Sequence, residues 1–144
     1  MSVEMDLVYE GNLRCKATHG PSGKTLATDA PVDNGGEGSE FSPTDLVAAA
    51  LGACALTVMG LVARRIGINM DGARVKVIKE MVREPVRRIG AILVRIEMPG
   101  GHAYAPEDRR RLEAAANACP VLHSLHPDTR VEMEFAWPAT VYGR

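Results

Sequence analysis

Apolar positions in this chain change period several times, and each change marks an element. Between residues 5 and 19, Leu7, Tyr9, Leu13 and Cys15 fall into alternating sets interrupted by Gly11-Asn12, which predicts two strands joined by a hairpin turn. Gly20-Pro21-Ser22-Gly23 is a second turn, and residues 24–28 read as a short strand. Residues 31–42 are the loosest stretch; their glycines predict an exposed loop or a flexible lid. Further on, Val75 and Val77 alternate against Arg74, Lys76 and Lys79, and Ile92, Val94 and Ile96 against Arg95 and Glu97. Glu84-Pro85 breaks the run, so residues 73–83 and 88–98 are expected to form an antiparallel hairpin. Pro106 opens a second helix over 107–118 with Leu112, Ala115 and Ala116 inward, and residues 131–135 alternate as a last strand.

The longest element is predicted to begin at Ser42. Ser is a favoured N-cap, Pro43 suits the first helical position, and Asp45 stands where a capping box needs its acid. The helix then runs to about Arg65, with Gly67 as its stop. Leu46, Val47, Ala50, Leu51, Ala53, Cys54, Leu56, Val58, Met59, Leu61 and Val62 leave almost no polar face. A helix that is apolar all round is a buried one. One chain this short has little material to cover it, which points to burial against a second copy. The element order gives an α+β class and one domain over residues 1–144.

Composition narrows the function classes. The net charge of −1 and the short, acid-interleaved Arg clusters exclude the basic footprint of a nucleic-acid binder. The apolar run of residues 46–55 is short for a membrane span, and the first residues lack the charge pattern of a signal peptide, so no membrane association and a cytoplasmic location are expected. Three cysteines in such a compartment are not a disulfide framework.

Cys54 lies about three turns into the helix, beside Ala50, Leu51, Thr57 and Val58, beyond the reach of the helix N-terminus. Such surroundings suit a packed core cysteine, whose thiol is inert. Cys119 changes the balance. It precedes Pro120 in Cys-Pro-Val-Leu-His-Ser-Leu and falls at the N-cap of any helix that Pro120 opens. Two cysteines at buried helical edges can meet, and such a pair suits a peroxidatic and a resolving thiol: the first attacks a peroxide O–O bond, and the second condenses with the sulfenic acid. A catalytic thiolate needs a cation, and Arg keeps its charge when desolvated. Cys119, His123 and His126 also stand at i, i+4 and i+7, a weak soft-metal pattern without an evident fourth ligand, and no metal or other cofactor is expected. Cys15 reads as a strand residue facing the core.

Ser-Pro-Thr-Asp-Leu-Val-Ala-Ala-Ala-Leu-Gly-Ala-Cys, followed later by Cys-Pro-Val-Leu-His-Ser-Leu, resembles the OsmC/Ohr family (osmotically inducible protein C and organic hydroperoxide resistance protein). The resemblance covers residues 5–136. It implies antiparallel sheets packed around a long buried central helix, in an intertwined homodimer with sites at the subunit interface. It also implies reduction of organic hydroperoxides by Cys54, resolution by Cys119, and regeneration by a lipoyl-type dithiol or a small thiol. Well-characterised peroxidases of the family carry a Glu just after the helix-opening Pro, paired with an Arg of the N-terminal strands. Here Thr44 holds the Glu position, which places the chain closer to the broad OsmC-like branch, and Arg14 is the only Arg before the helix. Asp45, Glu37 or Glu40 is left to supply the carboxylate, and Leu51 and Val58 the aliphatic pocket. The competing expectation is a dimeric small-molecule-binding or redox-sensing protein on the same fold, with weak or no peroxidase activity.

Overall fold

The computed structural model describes residues 1–139, in two compact units, Met1–Val47 and Ala48 onward. The first unit is an antiparallel sheet in the order β1 (Met5–Gly11), β2 (Arg14–His19), β3 (Thr25–Thr28). The β1–β2 turn is Asn12–Leu13, one residue later than Gly11-Asn12 suggested, because Gly11 still pairs with Arg14 across an irregularity. Asn12 and Leu13 both take positive φ, 53° and 62°, and Leu13 is steadied by its N–H donating to Tyr9 Oη at 3.3 Å. After β3 the glycine-rich stretch is an exposed loop held by its own backbone hydrogen bonds. Asp29 N–H donates to Phe41 O, Gly36 N–H to Pro31 O and Gly38 N–H to Ala30 O, so the loop folds back on itself. A Cβ at Gly36 would run into the Ala30 carbonyl, so only glycine fits that return.

Helix α1 (Pro43–Arg65) starts and stops where the sequence places it. At its end Gly67 has φ 75°, and Ile68 N–H donates to Ala63 O at 2.8 Å, which satisfies an orphan carbonyl. Its 23 residues are together long and apolar enough to cross a membrane, although the continuous apolar run is shorter. Its packing is that of a core helix. Ala48, Leu51, Gly52, Ala55, Met59 and Ala63 form one buried stripe, while Val47 and Leu61 are exposed. The chain by itself therefore covers one face of α1.

In the second unit, β4 (Arg74–Val82) pairs antiparallel with β5 (Arg88–Glu97). The third strand, β6 (Arg130–Ala136), lies parallel to β5, with Ile92 opposite Val131 and Ile96 opposite Phe135. A parallel partner needs a helical crossover, and α2 (Pro106–Ala116) with α3 (Pro120–His123) supplies it. Ile92, Val94, Ile96 and Met98 turn inward to a core shared with the α1 stripe, Leu112, Ala115, Ala116 and Cys119. A Cβ at Gly52 would stand 2.7 Å from Val77 Cγ2, so glycine sets how closely α1 approaches the sheet. Gly52→Val is expected to lower unfolding free energy by about 1–3 kcal/mol through overpacking. Urea denaturation checks this, and an unchanged midpoint would mean that helix and sheet are not in tight contact.

Candidate functional site

The helix that carries Cys54 is anchored by a reciprocal cap. Ser42 Oγ accepts from Asp45 N–H at 3.1 Å, and Asp45 Oδ2 accepts from Ser42 N–H at 3.0 Å. Ser42 is buried, and Thr44 Oγ1 lies 3.3 Å from its hydroxyl. The Asp45 carboxylate thus serves the helix start, the duty its spacing predicted.

Three turns on, Cys54 is half-buried and packs against the core to which Cys119 belongs. Cys119 is fully buried at the extended N-cap of α3, with φ −69° and ψ 142°. Its thiol lies near that of Cys54, close enough for the two to influence each other. Burial pushes the Cys119 thiol up, and its contact with Cys54 adds to this; the backbone amides of Leu122 and Val121 pull the other way. All three cysteines are free thiols. The two thiols that the sequence separates by 65 positions thus meet one core with unequal surroundings, Cys54 half-buried and Cys119 sealed in it. Leu51 is fully buried in that core, and Val58, one turn after Cys54, is half-buried against it.

Arg14 has its own constellation in the N-terminal unit. Its Nη2 donates to Glu37 Oε2 at 2.7 Å and to Ser39 Oγ at 3.1 Å, with Asp29 Oδ2 3.9 Å away. Glu37 is the carboxylate that reaches Arg14, while Glu40 stands exposed. Asp29 was missed by sequence reasoning. Its partner Ser39 lies ten residues on, beyond any local spacing rule, and a lone acid after a short strand gives no other signal. Ser39 donates to Asp29 Oδ2 from both its N–H, at 3.1 Å, and its hydroxyl, at 2.9 Å. The Ser39 amide is the main reason the Asp29 carboxyl lies below its usual range; the Ser39 hydroxyl, the Ala30 amide and Arg14 act in the same direction, against the effect of burial. Cys15, next to Arg14 on β2, pairs with Tyr9 and Thr28 and is half-buried.

The spacing of Cys119, His123 and His126 does not survive folding. Helix α3 ends at His123, so His126 does not continue that face; its Nδ1 accepts from Asp128 N–H at 3.0 Å instead. A groove of about 500 Å³ lies at the β4–β5–β6 sheet, lined by charged residues such as Arg74, Lys76, Arg95 and Glu97, and no cysteine borders it.

A long apolar helix packed on a small sheet, with Cys54 on the helix and Cys119 of a later Cys-Pro in the same core, makes this a small α+β protein with two cysteines at one core. The family model of OsmC-like protein matches residues 36–134, and the chain belongs to that family. Among solved structures it is similar to a Psychrobacter arcticus 273-4 protein described as an osmotic stress induced and detoxification response protein, with 36% identity over 92% of this chain and 94% of that one, and a TM-score of 0.86. An organic hydroperoxide resistance protein OsmC from Legionella pneumophila shares the fold at 17% identity, covering 95% of this chain and 98% of that one, with a TM-score of 0.73. The organic hydroperoxide resistance protein OhrB of Bacillus subtilis does so at 17% identity, over 94% and 98%, with a TM-score of 0.68. Comparison with curated proteins returned no match.

Proposed function

We propose that this protein is a thiol-dependent peroxidase that reduces organic hydroperoxides. The observation that carries this reading is the unequal thiol pair: Cys54 half-buried against the core in which Cys119 is fully buried, the two near enough to interact. The Cys54 thiolate attacks the distal oxygen of ROOH. The O–O bond breaks, the departing alkoxide takes a proton from water and leaves as ROH, and Cys54 becomes a sulfenic acid. Cys119 then attacks the Cys54 sulfur, the S–OH bond breaks, water leaves, and a Cys54–Cys119 disulfide forms. A dithiol of the lipoyl type or a small thiol returns both sulfurs to the reduced state, its own sulfurs being oxidised. The raised Cys119 thiol suits the second role, because it stays protonated while Cys54 meets peroxide. Val58, with Leu51 in the core beneath, supplies apolar surface for the alkyl group. Arg14 is the cation we assign to the thiolate, because the family resemblance implies an Arg from the N-terminal strands and Arg14 is the only Arg before the helix. A homodimer completes the molecule: the uncovered faces of α1 and the exposed Leu7, Val8 and Tyr9 of β1 call for a partner, and a second copy offers the same surfaces.

The test is intact mass and free-thiol count after one equivalent of cumene hydroperoxide. Loss of two thiols, with a disulfide mapped to Cys54 and Cys119, is expected. Retention of all three thiols under both cumene hydroperoxide and hydrogen peroxide would reject the peroxidase and favour a binding protein on the same fold.

A further inference from the structure

We propose that Asp29 is a positioning residue for Arg14 and acts on it through Ser39. The inference rests on the assignment of Arg14 as the thiolate's cation and identifies what aims that cation. Arg14 meets one obvious partner, Glu37, at 2.7 Å, but the Glu37 side chain is 80% exposed. A solvent-facing ion pair holds a long side chain weakly, because water competes for both partners and two flexible chains must be ordered. Glu37 alone therefore does not fix the guanidinium.

The second contact is of a different kind. Ser39 Oγ accepts from the same Arg14 Nη2 at 3.1 Å, and its own proton goes to Asp29 Oδ2 at 2.9 Å. A hydroxyl that donates to a carboxylate is oriented by it and becomes a better acceptor for a cation. The Ser39 N–H donates to the same Oδ2 at 3.1 Å, so the backbone of this residue is fixed as well as its side chain. Asp29 is itself buried and tied down: only 1% of its side chain is exposed, and its N–H donates to Phe41 O at 3.2 Å. Ionisation of this carboxyl is favoured by the Ser39 amide. Its other oxygen, Oδ1, is buried without a well-aligned donor among the described residues. The glycine fold of the loop supplies the geometry, since the return at Gly36 and the Gly38-to-Ala30 hydrogen bond bring Glu37 and Ser39 back to β2. One buried acid, one oriented hydroxyl and one exposed acid thus converge on a single guanidinium.

Cys54 serves as the reporter, through its alkylation rates with iodoacetate and iodoacetamide, mapped by peptide mass. A well-placed cation accelerates the anionic reagent more than the neutral one, and a general loosening of the fold does not change their ratio in that way. Ser39→Ala removes an exposed hydroxyl and leaves the core intact. It is expected to lower the iodoacetate-to-iodoacetamide ratio, and kcat/KM for cumene hydroperoxide with dithiothreitol, by about three- to tenfold, the weight of one hydrogen bond. Asp29→Asn should lower both in the same direction, and Arg14→Ala should lower them furthest. A wild-type ratio in Ser39→Ala, with Arg14→Ala reduced, would overturn the positioning role and leave the peroxidase reading standing. An unchanged ratio in Arg14→Ala would remove Arg14 from the site and this inference with it. Because Ser39 is exposed, the outcome does not depend on whether the buried Asp29 variant folds.

Discussion

Cys54→Ser is expected to abolish hydroperoxide consumption, by on the order of a thousandfold or more, as removal of a nucleophile does. Serine matches the cysteine in shape but has no accessible anion near neutral pH, and its hard oxygen does not attack a peroxide bond. Cys119→Ser should behave differently. Its first turnover should proceed at the wild-type rate, because the attacking sulfur is untouched, and the product should be a Cys54 sulfenic acid that dimedone traps. Later turnovers should slow to the rate at which the external thiol reaches that sulfenate directly. The proposed roles rest on burial, since Cys119 is sealed in the core and Cys54 is half-buried. Rapid-mix consumption of cumene hydroperoxide, with mass analysis of each variant, separates the steps. A normal first turnover in Cys54→Ser, with none in Cys119→Ser, would reverse the assignment.

What could be read without coordinates was what local rules govern. The Ser42–Asp45 cap, the stop at Gly67 and the Cys119-Pro120 start of α3 each depend on residues within a few positions, and each lies where the sequence puts it. The inward sets Ile92, Val94, Ile96 and Leu112, Ala115, Ala116 were equally legible, because period alone defines a buried face. Pairing direction is not local. Nothing in the alternation at Val131, Met133 and Phe135 says that β6 runs parallel to β5. The Cys54–Cys119 meeting could be foreseen as a possibility, but only the packing of α1 and α3 into one core produces it. The Asp29–Ser39–Arg14 chain was invisible for the same reason, since it joins a strand to both ends of a loop whose conformation glycines decide. The metal spacing failed through termination, because Cys119, His123 and His126 share a face only on a helix longer than the four residues of α3.

A charge at Leu61 should have a large effect of another kind, on assembly. Leu61 is 49% exposed on α1 and Val47 is 39% exposed, although most of their helix neighbours are apolar. In β1, Leu7, Val8 and Tyr9 are all exposed, so both faces of that strand lack cover. If a second copy supplies the cover, Leu61→Asp places an unpaired carboxylate in an apolar interface, where the desolvation penalty is on the order of 3–5 kcal/mol. Dimer affinity should then fall by about 10²–10³-fold. Leu61→Ala removes only apolar contact and should weaken the dimer much less, which separates charge burial from lost packing. Light scattering behind size exclusion reads the result: dimers for wild type and Leu61→Ala, monomers or aggregates for Leu61→Asp, with a matching fall in melting temperature. A wild-type protein that is monomeric at micromolar concentration, and equally stable with Asp at position 61, would mean that this face of α1 tolerates water. The second copy would then lose its strongest physical support, and with it the expectation that a site needs two chains.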